Sequence, residues 1–411
     1  LKFAEEITGN PRKKILIDIY RINPIHNGTS EYTLTLLKHL YKPLKKKYDL
    51  TILINQKAND IFGVSKLYDN VIFKTNNLIG KKFDLTYTPF QIFDFNNLFY
   101  LHDVSPRFIV CILDIIALRC IQMRRSYHYE LFNFIINYSD AITVPTNYVK
   151  EDIINFFNNK GEKIHRILLS RDKPLSNKEK ELKANKLISL PEKYIFLVGN
   201  SFPHKAIQTA LRYIPKHISV VVLSSKNKVD GNVIYLESGK LPEYLIDYIY
   251  KKCSFILFPS QYEGFGLPVL ASAVYGKNIL LYDSSINREV TSEFGLNKNV
   301  YYFRYFEEIY KLSDILLNKL SKKEHFERTW EKVATDMMQV IDKTINKKID
   351  TNKLIEKNHE INRLRVAFGQ NNITNKFTAS LRISRIKKLI ERYIFPKYSL
   401  RRKAIRKIIN K

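Results

Sequence analysis

Cysteine, tryptophan and long apolar runs are all scarce in this chain of 411 residues. Cys111, Cys120 and Cys253 show neither the spacing of metal ligands nor a disulfide framework, so we interpret them as reduced thiols. The longest apolar run, residues 108–121, contains two charged residues and is too short to span a bilayer. No secretory signal is visible at the start. We therefore expect a cytoplasmic protein, either soluble or peripheral on the cytoplasmic membrane.

Acidic residues are also few: 40 Asp and Glu stand against 68 Lys and Arg, a formal net charge of +28. This excess indicates an anionic partner, such as nucleotide phosphates or a membrane surface. It is strongest in residues 376–411, where thirteen basic residues accompany one acid, Glu391. Their apolar neighbours recur at helical spacing, which favours a basic amphipathic helix on an anionic membrane. A helix packed on the protein and a linker to a further domain are the alternatives.

Two other features of the chain limit the range of partners. No recognition module accompanies the positive charge, so we do not expect the protein to bind nucleic acid. The sequence does not begin with Met, which leaves open that it belongs to a longer multidomain chain.

Glycine is infrequent, with 13 residues in all, yet two glycines lie within one short stretch, residues 258–271. An apolar run at 254–258 predicts a buried strand that leads into this stretch. Gly264 and Gly266 then predict a loop, and Pro268 is well placed in the first turn of a helix. A glycine loop at a helix start leaves backbone N–H groups for an anion, which indicates a phosphate or diphosphate site with Glu263 beside it.

The first half of the chain alternates apolar runs with helical patterns, which predicts a doubly wound α/β domain. The loop after the first strand carries Gly28, and His102 is placed at the end of a strand. Ligands of such sheets gather beyond the carboxyl ends of the strands. The predicted strands are 14–20, 49–55, 71–74, 84–88, 98–101 and 140–144.

The second half repeats the pattern after a charged stretch, residues 163–190, which we interpret as an exposed connector. A strand at 194–198 leads to Asn200, His204 and Lys205 at the entry of a helix, where a lysine can reach phosphate oxygens. A helix over 322–345 contains the only tryptophan, Trp330, interpreted as a packing anchor. The further predicted strands are 218–223, 233–236, 255–258 and 278–282.

The segment Glu263-Gly-Phe-Gly-Leu-Pro-Val-Leu resembles the signature of the large family 4 of retaining, nucleotide-sugar-dependent glycosyltransferases. The family signature has two glutamates eight positions apart, and the second position here is Ala271. The resemblance covers about residues 14–345 and implies the GT-B fold, in which two Rossmann-like domains face a cleft. We accordingly expect an N-terminal acceptor-side domain, a linker, a nucleotide-sugar domain and a basic helical extension. Their expected ranges are 1–170, 171–190, 191–345 and 346–411.

The resemblance also implies roles for individual residues. Lys205 would hold the donor diphosphate, Glu263 would bind sugar hydroxyls, and His102 would contact the sugar or the acceptor. Glu289 is a candidate to replace the carboxylate that Ala271 lacks. No protein nucleophile, metal or cofactor is implied, because Lys205 and the loop dipoles would carry the charge of the leaving group. The implied donor-binding residues are Gly28, Asn200, His204, Lys205, Gly264, Phe265, Gly266, Leu267 and Glu289.

The function that the resemblance implies is transfer of a hexose from a nucleotide-diphosphate sugar to a glycan or polyprenyl-linked glycan. The proline-histidine-lysine run at residues 203–205 resembles the corresponding run in enzymes that assemble bacterial surface polysaccharides, lipopolysaccharide or capsule. The alternative is a catalytically weakened GT-B domain that binds acceptors or acts as a scaffold in a larger polysaccharide-assembly protein. An epimerase or phosphorylase of the same fold has no local motif in its support.

Overall fold

A computed structural model describes residues 12–172, 178–224, 227–237 and 239–368 of the protein. The chain separates into one unit that spans residues 1–348 and a second that spans residues 349–411. The predicted basic membrane helix, residues 376–411, lies outside the described residues.

The first sheet is parallel throughout its described strands. Its strand order is β3-β2-β1-β4-β5-β6-β7, so the chain crosses over near β1 and continues on the opposite side. The central strands are apolar and buried on both faces, as a parallel sheet between two helical layers requires. The strands are β1 (Lys14–Ile19), β2 (Asp49–Ile54), β3 (Val71–Ile72), β4 (Leu85–Thr88), β5 (Phe108–Cys111), β6 (Ala141–Val144) and β7 (Ile164–Arg166).

The second sheet repeats this plan with the order β10-β11-β9-β8-β12-β13-β14, and β10 pairs antiparallel at its edge. The other described pairs are parallel. The strands are β8 (Tyr194–Leu197), β9 (Ser219–Ser224), β10 (Lys228–Asp230), β11 (Val233–Glu237), β12 (Phe255–Phe258), β13 (Asn278–Tyr282) and β14 (Val300–Phe303).

Helices follow most strands. In the first half they are α1 (Gly28–Lys47), α2 (Gln56–Phe62), α3 (Val64–Leu67), α4 (Phe95–Val104), α5 (Ile116–Arg119), α6 (His128–Tyr138) and α7 (Asn147–Phe157). They continue with α8 (Lys178–Leu187), α9 (Ile207–Tyr213), α10 (Glu243–Lys252), α11 (Leu267–Tyr275), α12 (Ser285–Glu293), α13 (Glu308–Leu317) and α14 (Trp330–Asn346). In the second unit, α15 (Thr351–Phe368) is the described element. Of the helices that the structure describes, none combines the length and apolar character needed to cross a membrane.

Local sequence explains the start of α1, which follows the first strand. The Asn27 side chain accepts a hydrogen bond from the backbone N–H of Ser30, and the Ser30 hydroxyl accepts one from the Asn27 N–H, both at 2.9 Å. This reciprocal capping box fixes the first turn. Three lysines in the last turn interact favourably with the negative end of the helix dipole. Gly28 therefore begins α1 at the carboxyl edge of the first sheet.

Two parallel-sheet Rossmann-like domains are thus present, and the fold prediction is confirmed. The predicted strand over 98–101 is wrong, because these residues belong to α4. Asp94 caps this helix by accepting a hydrogen bond from the Asn97 N–H at 2.8 Å, and Leu98 and Leu101 are buried at a spacing of three residues. The strand that lies next in the sheet is β5, which the sequence analysis did not identify.

Two further expectations are corrected at the crossings between the domains. The stretch 163–190 is not a bare connector, because it contains β7 and α8. The predicted helix over 322–345 begins only at Trp330, and α14 packs on α1 of the first domain. Trp330 is buried with its ring 6.2 Å from that of Tyr32, as expected for a packing anchor.

Candidate functional site

The glycine loop lies between β12 and α11, where the sequence analysis placed it. Gly266 forms the N-cap of α11 with φ of +90°, a conformation that a side chain would strain. Pro268 occupies the first turn, where a missing N–H is tolerated. The positive end of a nine-residue helix therefore lies at the carboxyl edge of the second sheet.

Gly264 marks the place where the loop meets the first domain. A Cβ atom at this position would lie 1.8 Å from the carbonyl oxygen of Leu113, so the two backbones are in direct contact. The Thr146 hydroxyl donates a hydrogen bond of 2.9 Å to the Gly264 carbonyl. The loop that follows β12 is thus fixed against the loops that follow β5 and β6.

Gly28 approaches the same region from α1. A Cβ atom on Gly28 would lie 3.6 Å from Cδ1 of Leu267, an ordinary van der Waals contact. The structure therefore brings Gly28, Gly264, Gly266 and Leu267 together at the interface between the two domains.

Lys205 and Glu263 form an ion pair between Nζ and Oε1 beside the glycine loop. Their side chains are 17% and 13% exposed, so water screens this pair less than it screens a surface pair. Lys205 ends a short 3₁₀ turn after β8, and the Gln261 N–H donates a 2.9 Å hydrogen bond to the carbonyl of the preceding His204. The two predicted phosphate and sugar contacts are therefore each other's partners in this structure.

His204 and Asn200 shape the turn that carries Lys205. The Asn200 side chain accepts a hydrogen bond from the Phe202 N–H at 3.1 Å, and the Phe202 ring stacks on His204 with 5.9 Å between centroids. Burial, and then the positive charge of Lys205, lower the pKa of His204 to about 4. Within the described part of the chain, the buried Nδ1 of His204 has no hydrogen-bond partner. The ring is therefore neutral near pH 7.

Asp114 is a further candidate residue, which the sequence did not indicate. It follows β5, next to the Leu113 carbonyl that contacts Gly264, and its carboxylate interacts electrostatically with both Lys205 and Glu263. Its Oδ1 accepts a hydrogen bond from the Ile116 N–H at 3.0 Å. The amide of Gln91 donates to the Asp114 backbone carbonyl and lies 3.4 Å from Oδ1. Burial raises the pKa of Asp114, and the hydrogen bonds and Lys205 act against that shift.

His102 occupies a different setting from the one expected, because it lies in the last turn of α4 instead of at a strand end. Its Nδ1 is 3.9 Å from Oδ1 of the neighbouring Asp103. The strand end that does face the glycine loop carries Leu113 and Asp114. Its signal in the sequence was the apolar run that begins at Phe108, which Asp114 interrupts.

Phe265 and Ala271 both belong to the core. Phe265 is 5% exposed and packs edge-on against Phe294, with 6.0 Å between ring centroids, so only its backbone is available to a ligand. Ala271 is completely buried on α11 among apolar neighbours. The absent second glutamate of the signature therefore corresponds to a packed position in this chain.

Glu289, expected near the donor, accepts hydrogen bonds from the first backbone N–H groups of α7. Its two carboxylate oxygens lie 2.6 Å from the Asn147 nitrogen and 2.7 Å from the Tyr148 nitrogen. A carboxylate at a helix N-terminus is favoured by unpaired donors and by the helix dipole. Glu289 thus joins α12 of the second domain to α7 of the first.

Replacing Glu289 by alanine should separate the domains as well as weaken the fold. Loss of the two charged hydrogen bonds should lower the free energy of unfolding by about 2 kcal/mol, measured by denaturant titration. The radius of gyration in small-angle scattering should increase. Glu324→Ala is the matched control, because Glu324 accepts from the Asn297 and Lys298 N–H groups within the second domain. An equal increase in radius for both variants would contradict the assignment.

No group of three or more His, Cys, Asp or Glu side chains suited to a metal ion occurs among the residues that the structure describes. The positive charge found at the glycine loop is that of Lys205 and of the α11 N-terminus.

Comparison with known proteins identifies the fold class. No family model matches the chain, and no curated protein matches its sequence. Solved structures do match: Anabaena HepE in complex with UDP and glucose has a TM-score of 0.56 at 11% identity, over 87% of this chain and 100% of that one. The sucrose-phosphate synthase of Thermosynechococcus elongatus has a TM-score of 0.54 at 11% identity, with the same two coverages. The lipopolysaccharide outer core galactosyltransferase WaaB has a TM-score of 0.53 at 12% identity, over 80% and 99%.

The chain therefore has the GT-B fold that these glycosyltransferases share. At this level of identity, the likeness to these structures establishes the fold of the chain alone.

Proposed function

We propose that the protein is a glycosyltransferase that moves a sugar from a nucleotide-diphosphate donor to a glycan or lipid-linked glycan acceptor. The observation that carries the proposal is the Lys205–Glu263 pair, which lies at the glycine loop and the start of α11 within a GT-B fold. A cation and a helix N-terminus suit a diphosphate, and a carboxylate suits sugar hydroxyls. Both kinds of contact are needed to bind a nucleotide sugar.

Binding of the donor must separate Lys205 from Glu263 and give each of them a new partner. A diphosphate that takes Lys205 as its partner releases Glu263, whose carboxylate then accepts hydrogen bonds from the sugar. As the bond from the anomeric carbon to the phosphate breaks, negative charge grows on the diphosphate beside Lys205 and α11. Stabilisation of such developing charge in a preorganised site often contributes more to catalysis than any other single effect. The resemblance of the sequence implies retention of configuration by a front-face route, in which the leaving phosphate takes the acceptor proton.

The contribution of the first domain differs from the one that the resemblance implies. The resemblance implies a His-Asp pair beyond a strand of that domain, and the pair at the corresponding edge is Leu113–Asp114. A carboxylate, without an imidazole, then faces the donor. We propose His102 only as a more remote contributor, with Asp114 and Gln91 nearer to the reaction centre.

The proposal is tested in two stages. A thermal-shift screen with nucleoside diphosphates and their sugars should give stabilisation by at least one of them, about 2.7 kcal/mol at 100 times its Kd. Product analysis by NMR on glycan acceptors should then show an axial or equatorial linkage that matches the donor. Nucleotide binding without transfer or hydrolysis would instead support the acceptor-binding scaffold role. Failure of every nucleotide to bind would refute both the enzyme and its proposed donor site.

Transfer should continue when divalent ions are removed. Lys205 and the α11 N-terminus supply positive charge where the diphosphate would lie, so we expect kcat/KM to change less than about twofold after EDTA treatment. The measurement is the initial rate of transfer with and without chelator, after exhaustive dialysis. A loss of activity that added Mg²⁺ or Mn²⁺ restores would show that the site depends on a metal.

Membrane contact through residues 376–411 is proposed from their charge and apolar spacing. Deleting these residues should release the protein from vesicles that contain anionic lipid but leave transfer to a soluble acceptor intact. Neutral vesicles provide the comparison, because they lack the electrostatic attraction. Equal vesicle binding by the full and the shortened chain would refute the proposal.

A further inference from the structure

Three ionisable side chains from different loops lie near one another at the interface between the two domains. Lys205 is paired with Glu263, and both lie in the second domain. Asp114 comes from the first domain and interacts electrostatically with each of them. The backbone contact between Leu113 and Gly264 brings the loop of Asp114 against the loop of Glu263.

The charge of this cluster changes when a donor binds. Two carboxylates and one ammonium give it a net charge of −1 when all three are ionised, so Lys205 neutralises only one acid. The diphosphate of a nucleotide sugar adds two negative charges and competes with Glu263 for the same ammonium. Like charges at close range in a poorly hydrated site disfavour one another strongly, and the usual result is that one group takes up a proton.

We propose that Asp114 takes up one proton when a nucleotide-diphosphate sugar displaces Glu263 from Lys205, and that the protonated side chain then donates a hydrogen bond within the cleft. This inference rests on the proposed function. The proton comes from solvent and no covalent bond changes. Asp114 thereby links donor binding to pH and acts as a positioning residue.

The burial of Asp114 and its interactions with Lys205 and Glu263 favour it as the proton acceptor. Its Oδ1 is already held by the Ile116 N–H and lies near Gln91, so the carboxyl group is oriented whether or not it is protonated. Burial already raises its pKa, while the hydrogen bonds from Ile116 and Gln91, and then the attraction of Lys205, oppose that rise. A diphosphate that engages Lys205 weakens this opposition, so the pKa rises further in the complex. The ionisable groups that face Asp114 are Lys205, Glu263, Tyr262 and Cys111.

His204 is the competing proton acceptor. Its pKa is held at about 4 by burial and by Lys205, and a nearby diphosphate would raise it. The two candidates make different predictions for variants, because Asp114→Asn removes one titrating group and His204→Gln removes the other. The asparagine also resembles the protonated acid in shape and in donating a hydrogen bond.

The experiment is isothermal titration calorimetry with UDP-glucose, GDP-mannose and ADP-glucose, which do not titrate near neutral pH. Each titration is repeated in buffers of different ionisation enthalpy, which gives the number of protons taken up, from about pH 5.5 to pH 8.5. We expect uptake that approaches one proton within this range. As the pH rises between the pKa values of the free and bound states, the Kd should then increase about tenfold per pH unit.

The variants decide where the proton goes. Asp114→Asn should bind the same nucleotide with no proton uptake and a flat pH profile, and Asp114→Ser provides a second test if the first variant folds poorly. His204→Gln should retain the uptake, and Asp60→Asn, a surface change on α2, should behave as the native protein. Binding without uptake in the native protein, or uptake that persists in Asp114→Asn, would overturn the inference. Absence of binding by all three nucleotides would instead refute the proposed function on which it rests.

Discussion

Gly264→Ala should lower the free energy of unfolding by about 3 kcal/mol and weaken nucleotide binding at least about tenfold. The added methyl carbon would lie 1.8 Å from the Leu113 carbonyl oxygen and 2.8 Å from its carbon. Neither atom belongs to a flexible side chain, so one backbone has to move. That movement would also strain the hydrogen bond from Thr146 to the Gly264 carbonyl. Denaturant titration and calorimetry with the nucleotide from the screen measure the two effects.

Gly28→Ala is the matched control for this substitution. Gly28 also lies at the interface between the two domains, but its added carbon would meet nothing closer than Cδ1 of Leu267 at 3.6 Å. Alanine has the higher helix propensity at the start of α1, so stability should change by less than about 1 kcal/mol. Equal losses in both variants would mean that the interface is sensitive to any added volume. A fully stable Gly264→Ala protein would show that the two loops separate at little cost in solution.

The glycine loop could be predicted from the sequence because its signals are local. A run of four buried apolar residues ends at Phe258, two glycines follow, and Pro268 is compatible only with the first turn of a helix. Lys205 could be placed for the same reason, since it follows a strand and precedes a helical pattern. Each of these residues depends on its immediate neighbours for its position.

Asp114 could not be placed because its position depends on a strand boundary that the sequence obscures. Residues 98–101 are apolar and short, as a strand would be, and the helical signal lies upstream, where Asp94 caps α4. The run that begins at Phe108 looked like a single apolar segment, whereas it contains β5 followed by a loop. Because of this error, the sequence analysis placed His102 at a strand end, whereas the loop that follows β5 carries Leu113 and Asp114.

Glu289 illustrates a second kind of limit, since its partner belongs to a different domain. Spacing along the chain placed it near the donor loop, and α12 does pack on α11. Its carboxylate nevertheless accepts from the N-terminus of α7, which lies about 140 residues earlier in the chain. Tyr262 makes a similar cross-domain contact, donating to Asp152 at 2.7 Å. Such pairs depend on how the two domains dock, and no local pattern in the sequence reports that.

Breaking the Lys205–Glu263 pair from either side should give opposite effects on nucleotide binding. Lys205→Ala removes the cation that would hold the diphosphate, so the affinity for the nucleoside diphosphate should fall at least about tenfold. Glu263→Gln removes the internal competitor and leaves Lys205 free, so that affinity should stay equal or increase. Calorimetry with the nucleoside diphosphate that stabilises the native protein measures both values.

Transfer, in contrast, should fall in both variants. Lys205→Ala loses stabilisation of the leaving diphosphate, and Glu263→Gln loses the charged acceptor for the sugar hydroxyls. Each loss should lower kcat about a hundredfold to a thousandfold, as removal of one preorganised electrostatic contact does in other enzymes. Initial rates at saturating donor separate this effect from any change in affinity.

The control is a second lysine–glutamate pair in the same domain, Lys251 on α10 with Glu181 on α8. This pair is more exposed, and Lys251→Ala and Glu181→Gln should leave both nucleotide affinity and kcat unchanged. Tighter nucleotide binding by Glu263→Gln, together with lost transfer, would show that Glu263 occupies the diphosphate contact until the donor arrives. Parallel losses of affinity in Lys205→Ala and Glu263→Gln would instead mean that the ion pair itself is needed to form the donor site, and the exchange of partners would be refuted.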